Sequence, residues 1–330
     1  METEIIVTIG SKVGKEDNAY YHDLVKQGIK WLRFNIARCK NAFEMEEMAT
    51  QICWIKARFA GEFSIILDLP IPRRKVRVHN KNISELSKGQ RYFLVSRKNY
   101  SDSELFIDYN SFGEVVAPGN QILYGDGEAR LLVEDVISKD VVSCVALDGS
   151  LFKSGKAVHF GKLVNNTIDD SMLQILHQIQ PDKIALSFIE SGQEVADFCA
   201  EVDIGENKII AKIETLSGIE NMEEIADKCD IMIGRGDLQH YGKFSDLYLH
   251  ETEGARVAEK KGKKLYIATG ILKNLEHKPF PTAAEVVDLG VMAMLKPFGI
   301  ILNSDTAYNN LAKAVSTINE VYEMCSEKDA

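Results

Sequence analysis

Six cysteines are spread over the 330 residues without one C-x-x-C pair. Cys39, Cys53, Cys144, Cys199, Cys229 and Cys325 therefore read as free thiols of a reducing compartment, not as a disulfide framework or a zinc site. No apolar run approaches the ~20 residues that a membrane span needs, and METEIIVTIG has no basic stretch followed by an apolar one. A membrane partner is thus not expected, and the expected location is the cytoplasm. Positive charge is in deficit, with 39 Lys and Arg against 49 Asp and Glu and a formal net charge of −10, which argues against nucleic acid as a partner. The seven histidines form no H-x-x-x-H or H-E-x-x-H cluster, and no G-x-S-x-G elbow occurs. GSKVGK at 10–15 falls short of the G-x-x-x-x-G-K-[ST] phosphate loop, and no strand is followed by G-x-G-x-x-G. No Pro-rich or Gly/Ser-rich linker is present, and only the tail SEKDA is expected to be disordered.

What is present is a composition, 45% hydrophobic and 27% charged, that can bury a large core. Short β-rich apolar runs recur: EIIVTIG (4–10), WLRFN (31–35), SIILDLP (64–70), KIALSF (183–188), KIIAKIE (208–214), IMIGRGD (231–237), KLYIATG (264–270) and GIILNSD (299–305). Nearly continuous apolar strands imply burial on both faces, as in a parallel sheet, and the segments between them carry helical spacing. Eight such units predict an α/β fold, the closed (β/α)8 barrel of the TIM type. The rhythm breaks between the third and fourth runs, where RYFLVSR, ELFIDYN and NQILYGDGEARLLVEDV read as β-structure, with G-D-G at 125–127 as a hairpin turn. The expected organisation is a catalytic barrel from 1–77 and 161–330, with a small all-β domain, 78–160, inserted between strands three and four as a lid.

Barrel enzymes place their chemistry where strands end and βα loops begin. In KIIAKIET, Lys212 and Glu214 are two residues apart, so period-2 alternation turns both toward the barrel axis. Such a pair can hold a phosphoryl group and a divalent metal, or it can be a structural ion pair. In Gly234-Arg235-Gly236-Asp237 the glycines let backbone approach a ligand, and a helix start favours a carboxylate or phosphate. Asp237 suits magnesium, most of all if Glu214 joins it, though an N-cap role would also explain it. Thr269 offers a strand-end hydroxyl, a place where threonine is often structural. Arg33 and Asn35 face one way at the end of the second run, where Arg33 can fork onto a phosphate or make a salt bridge.

In chain order, VTIGS, RFN, LDLP, IDYN…YGDGEA, SF, IIAKIET-x-x-GIEN, IMIGRGDL, ATG-x-L, P-x-PTAAEV-x-D and ILNSDTA resemble the pyruvate kinase family over residues ~4–315. The resemblance implies phosphoryl transfer between phosphoenolpyruvate and ADP, with Mg2+ or Mn2+ as cofactor. It implies that Lys212 steadies the moving phosphoryl group and that Glu214 and Asp237 bind the metal. Backbone at Arg235, Gly236 and Asp237 would hold the carboxylate of a 2-oxo acid, Thr269 would lie near its methyl carbon, and Arg33 would contact the phosphate.

The departures from the family pattern are equally specific. The resemblance runs out after the eighth barrel unit, so the family's C-terminal domain and its regulatory site are expected to be missing. The nucleotide and monovalent-cation side, which would use Asn35, Asp68, Arg73, Lys75 and Lys156, is eroded. R-L-N-F-S-H is replaced by Arg33-Phe34-Asn35-Ile36-Ala37-Arg38, and D-T-K-G-P-E-I-R by Asp68-Leu69-Pro70-Ile71-Pro72-Arg73-Arg74-Lys75. By the resemblance, a serine oxygen and a histidine are thereby lost, and a threonine ligand of the monovalent cation has become Leu69. A basic residue such as Arg73 at the acidic position goes, within the family, with independence from potassium. The inserted K-G-V-N run keeps Lys156 but reaches His159, while Ala283 and Gly270 replace residues near a family subunit interface. Expected partners are phosphoenolpyruvate or a 2-oxo acid, ADP or ATP, and a second copy through the barrel. The alternatives to phosphoryl transfer are metal-enolate chemistry, as in a decarboxylase, aldolase or lyase, and a catalytically dead binding protein.

Overall fold

Alternation along each apolar run builds the barrel. The computed structural model describes residues 3–14, 16–39, 41–97, 99–125, 127–241 and 244–328. Eight strands, Glu4–Thr8, Trp31–Asn35, Ser64–Arg74, Lys183–Ser187, Ile209–Ile213, Asp230–Gly234, Leu265–Ala268 and Gly299–Leu302, pair in parallel in chain order, and the eighth pairs with the first. The (β/α)8 barrel is therefore the fold. The third strand runs on past Pro70 to Arg74, longer than its apolar run indicates.

One set of side chains on each strand faces outward. Val7, Leu32, Phe34, Leu67, Leu186, Ala211, Ile233 and Leu302 join the helices in the main core. The other set points to the axis, where Ile6, Ile66, Ala185, Ile210, Met232, Tyr266 and Ile301 form a dry plug with Trp31 and Phe298 packed on it. Burying each such aliphatic side chain stabilises the fold by roughly 1.5–3 kcal/mol. Two residues further along, the axis-facing positions become polar on the first five strands: Thr8, Arg33, Asp68, Ser187 and Lys212. The plug is thus a floor beneath a polar layer at the strands' C-terminal ends.

Helices return the chain between strands, and their starts carry the expected caps. Asn41 accepts from the Glu44 amide at 3.0 Å at the start of helix Ala42–Arg58, and Thr282 with Glu285 makes a capping box for helix Ala283–Leu295. The last helix, Ser304–Lys328, corrects the expectation for the tail: residues 326–328 are helical, while Asp329 and Ala330 lie outside the described residues. Val321 and the partly buried Tyr322 and Cys325 pack on the main core, which keeps this last stretch ordered. Among the described residues, no helix is long and apolar enough to cross a membrane.

The chain divides into two compact units, residues 1–72 with 167–330, and residues 73–166. The second is a closed barrel of seven strands, in the spatial order Val141–Ala146, Arg91–Val95, Glu104–Ile107, Val76–His79, Lys156–His159, Gln121–Tyr124 and Ala129–Ser138. It has its own core around Phe112, Tyr124, Leu94, Leu105 and Leu131. Gln121–Tyr124 and Ala129–Ser138 pair antiparallel on either side of the G-D-G hairpin, whose Asp126 lies outside the described residues.

Candidate active site

The polar layer of the barrel is a chain of buried charges. Asp68, fully buried at the axis, takes Arg33 and Lys212 on different oxygens. Oδ2 accepts from Arg33 Nη2 at 2.5 Å and from Nε at 3.0 Å, and Oδ1 accepts from Lys212 Nζ at 3.3 Å. The third nitrogen of Arg33 donates to Thr8 Oγ1 at 3.1 Å. Lys212 Nζ also donates to Ser187 Oγ at 3.0 Å and lies 3.2 Å from Glu214 Oε1. Glu214 Oε2 accepts from the Phe188 amide at 3.0 Å, and Phe188 holds a positive φ of 56° at the end of the fourth strand.

Burial by itself would drive both central groups toward their neutral forms. It raises the Asp68 carboxyl, but the Lys212 and Arg33 charges outweigh it and hold that carboxyl below its ordinary value. It lowers the Lys212 ammonium, but Asp68 and Glu214 outweigh it and hold Lys212 above its ordinary value. Both groups are charged at neutral pH. Lys212 is thus a fixed cation in the floor of the barrel mouth.

Glycines bring the sixth strand against this layer. A Cβ at Gly234 would lie 2.6 Å from Glu214 Cγ, and one at Gly236 would lie 2.7 Å from Thr269 Cγ2. Only glycine lets this backbone run between Glu214 and Thr269. Residues Arg235–Tyr241 form the short helix anticipated after the sixth strand, with Asp237 buried in its first turn. Thr269 has φ 81°, a costly conformation for a β-branched residue.

The chemistry of the donor set fits a divalent cation. Glu214 and Asp237 supply buried carboxylate oxygens, the hard donors that magnesium takes. Among the described residues no group of three or more His, Cys, Asp or Glu is placed to hold a metal ion, so substrate and water oxygens would complete the shell, as is usual for magnesium.

Several positions behave differently from their sequence expectation. The Arg33 fork is spent on Asp68 and Thr8, leaving it a steadied positive charge, not an open clamp. The Asn35 carboxamide oxygen accepts from the Ala37 amide at 2.9 Å, capping the short turn Ile36–Arg38. Leu69 packs in the main core outside the barrel, on the opposite strand face from Asp68. A threonine hydroxyl at this position would therefore point away from the axis, so the missing side-chain oxygen is no argument about a monovalent ion. The Arg235 side chain turns outward to Asp288 and Glu251, and only its backbone is left for a ligand.

Arg73, Lys75 and Lys156 belong to the second unit. There Arg73 pairs with Asn165 in the sheet, the Lys75 carbonyl accepts from Arg74 Nη1 at 3.2 Å, and Lys156 is ion-paired with Glu128. Sequence reasoning missed Thr8, Ser187 and the Phe188 amide as parts of the charge layer. The first two occupy the inward register already signalled by Arg33 and Lys212; the amide has no side-chain signature.

A family model described as the pyruvate kinase barrel domain matches residues 1–313. Pyruvate kinase 2 of Synechocystis sp. is 25% identical over 99% of this chain and 57% of the relative. The pyruvate kinase of Thermotoga maritima is 25% identical over 99% of this chain and 71% of its own length. That of Clostridium perfringens is 28% identical over 87% of this chain and 62% of its own. The matches thus span between 57% and 71% of the length of these relatives.

Proposed function

The chain belongs to the pyruvate kinase family, and from that membership we propose that it is a divalent-metal-dependent phosphotransferase acting between phosphoenolpyruvate and a nucleoside diphosphate. The observation that carries this reading is the buried cation Lys212, kept charged between Asp68 and Glu214 at the floor of the barrel mouth.

A divalent cation, magnesium or manganese, supplies Lewis-acid stabilisation of charge on the substrate oxygens. Glu214 and Asp237 would hold it. The Lys212 ammonium, fixed before substrate arrives, offsets negative charge on the phosphoryl oxygens, and Arg33 adds a second positive charge behind Asp68. Backbone at Gly236 and Asp237 seats the substrate carboxylate, and Thr269 stands beside the carbon that takes up a proton once the phosphoryl group has left. Removing one such electrostatic group costs about 3–4 kcal/mol of barrier in comparable sites.

Potassium is not required in this reading. Both oxygens of Asp68 are already occupied by buried cations, and Ala37 offers no side-chain oxygen. The barrel also has a face suited to a second copy of the chain: helix Ala283–Leu295 exposes Val287 and Met294 to solvent.

A second reading keeps proton transfer at a 2-oxo acid and drops the nucleotide. It is favoured by the self-contained grouping of Lys212, Glu214, Gly236 and Thr269 within the barrel. Pyruvate formation from phosphoenolpyruvate, followed with magnesium and a panel of nucleoside diphosphates, separates the two. Nucleotide-dependent turnover that disappears in Lys212→Met supports phosphoryl transfer. Absence of turnover with every nucleotide rules out phosphoryl transfer, and exchange of pyruvate methyl protons then separates the second reading from a catalytically dead binding protein.

A further inference from the structure

The outward-turned Arg235 side chain ties three elements together. Its Nη1 and Nη2 fork onto Asp288 Oδ1 and Oδ2, both at 2.9 Å, and Nη1 also reaches Glu251 Oε1 at 3.4 Å. Its Nε donates to the Thr269 carbonyl at 2.9 Å. Asp288 lies on helix Ala283–Leu295 and Glu251 on helix Leu247–Lys261, so two helices anchor a guanidinium that grips the loop after the seventh strand. The gripped residue is the strained one. Thr269 keeps its positive φ only if its surroundings over-determine it, and a charge-assisted bond to its own carbonyl does so. The residue following Arg235 completes the constraint, because the Gly236 backbone abuts Thr269 Cγ2.

We propose that Arg235 and Asp288 are a positioning pair that fixes the Thr269 hydroxyl against the Gly236–Asp237 segment, and so sets where the substrate carbon receives its proton. The catalytic part of this proposal rests on the reading of Thr269 given above. Of the two metal carboxylates, Glu214 is held by the Phe188 amide and Lys212, and Asp237 is buried in the turn after the sixth strand, so metal binding should depend less on the pair than proton delivery does.

The test uses the full chain with Asp288→Asn and Arg235→Lys. The first removes the charged acceptor, and the second keeps the positive charge without the planar fork. Amide hydrogen exchange is expected to accelerate at residues 269–272 in both variants, with the other strands unchanged. Exchange of pyruvate methyl protons with deuterated water is expected to fall by about 100-fold, the loss that a misplacement of about 1 Å brings, while Mn2+ affinity stays at the wild-type value. Unaltered amide exchange at 269–272 overturns the proposal. So does a decline in proton exchange that merely parallels a loss of metal affinity and of thermal stability, the mark of a purely structural bridge. A wild-type protein that exchanges no methyl protons refutes the functional reading instead, and the amide measurement still decides whether the pair positions Thr269. Should Arg235→Lys fail to fold, Asp288→Asn, at a partly exposed side chain, carries the test.

Discussion

Asp68 and Lys212, 144 residues apart in the chain, meet at 3.3 Å between Oδ1 and Nζ on the axis of the barrel. Breaking a buried pair of this kind leaves an uncompensated charge, which costs about 3–5 kcal/mol. Asp68→Asn strands two cations, Lys212 and Arg33, and is expected to destabilise the protein by about that much in urea unfolding. The pH dependence follows from the direction of the shift. The Asp68 carboxyl lies below its ordinary value in the folded state, so its contribution is complete above the usual carboxylate range. It is lost as pH falls through that range toward the depressed value. The stability gap between wild type and Asp68→Asn should therefore be constant near neutrality and narrow in acid; a gap that widens in acid contradicts the assignment.

Glu214→Ala and Asp237→Ala should each weaken Mn2+ binding, followed by electron paramagnetic resonance, by at least the ~10–100-fold typical of losing even a group that only supports a metal ligand. Circular dichroism should remain that of the wild type, because the inner plug and outer core lie below these residues. Unchanged affinity in both variants removes them as ligands.

Gly236→Ala places a methyl group where Thr269 Cγ2 already stands, 2.7 Å away. Overpacking of this kind costs about 1–3 kcal/mol of stability. The larger effect is expected on turnover, about 100-fold through displacement of Thr269. A variant with full kcat shows that Thr269 does not need its present position.

Turnover should be the same in potassium, sodium or tetramethylammonium salts, since the Asp68 oxygens are taken by Lys212 and Arg33. Strong activation by potassium would contradict this, and would require Asp68 to release one of its partners.

Much of this was legible before the fold was known. The eight apolar runs and the β-rich interval between the third and fourth come directly from hydrophobic period and length. Lys212 and Glu214 were readable as neighbours because strand alternation is local. Asp68 was harder: its partners Arg33 and Lys212 lie 35 and 144 residues away, and no local pattern shows that it joins them. The Arg235 side chain misleads for a related reason. A motif places its backbone, whereas its partner Asp288 comes from a helix 53 residues on. Leu69 was misjudged although alternation would have placed it, since a residue next to inward-facing Asp68 must face the outer core. The tail reads as a disordered chain end, while the buried contacts that order residues 326–328 come from Val321, Tyr322 and Cys325, just before it.

In the proposed reading Lys212, Glu214, Asp237 and Thr269 form one site at the barrel mouth that would hold a divalent cation and assist proton transfer at the methyl carbon of a 2-oxo acid. Proton NMR of pyruvate in deuterated water with magnesium or manganese reads this proton transfer without any nucleotide. Methyl-proton exchange is expected well above a metal-only control, sharply reduced in Glu214→Gln and retained in Arg38→Ala, whose side chain donates to Ser304 Oγ at 3.0 Å. Exchange no faster than the metal-only control, or exchange undiminished in Glu214→Gln, would contradict it.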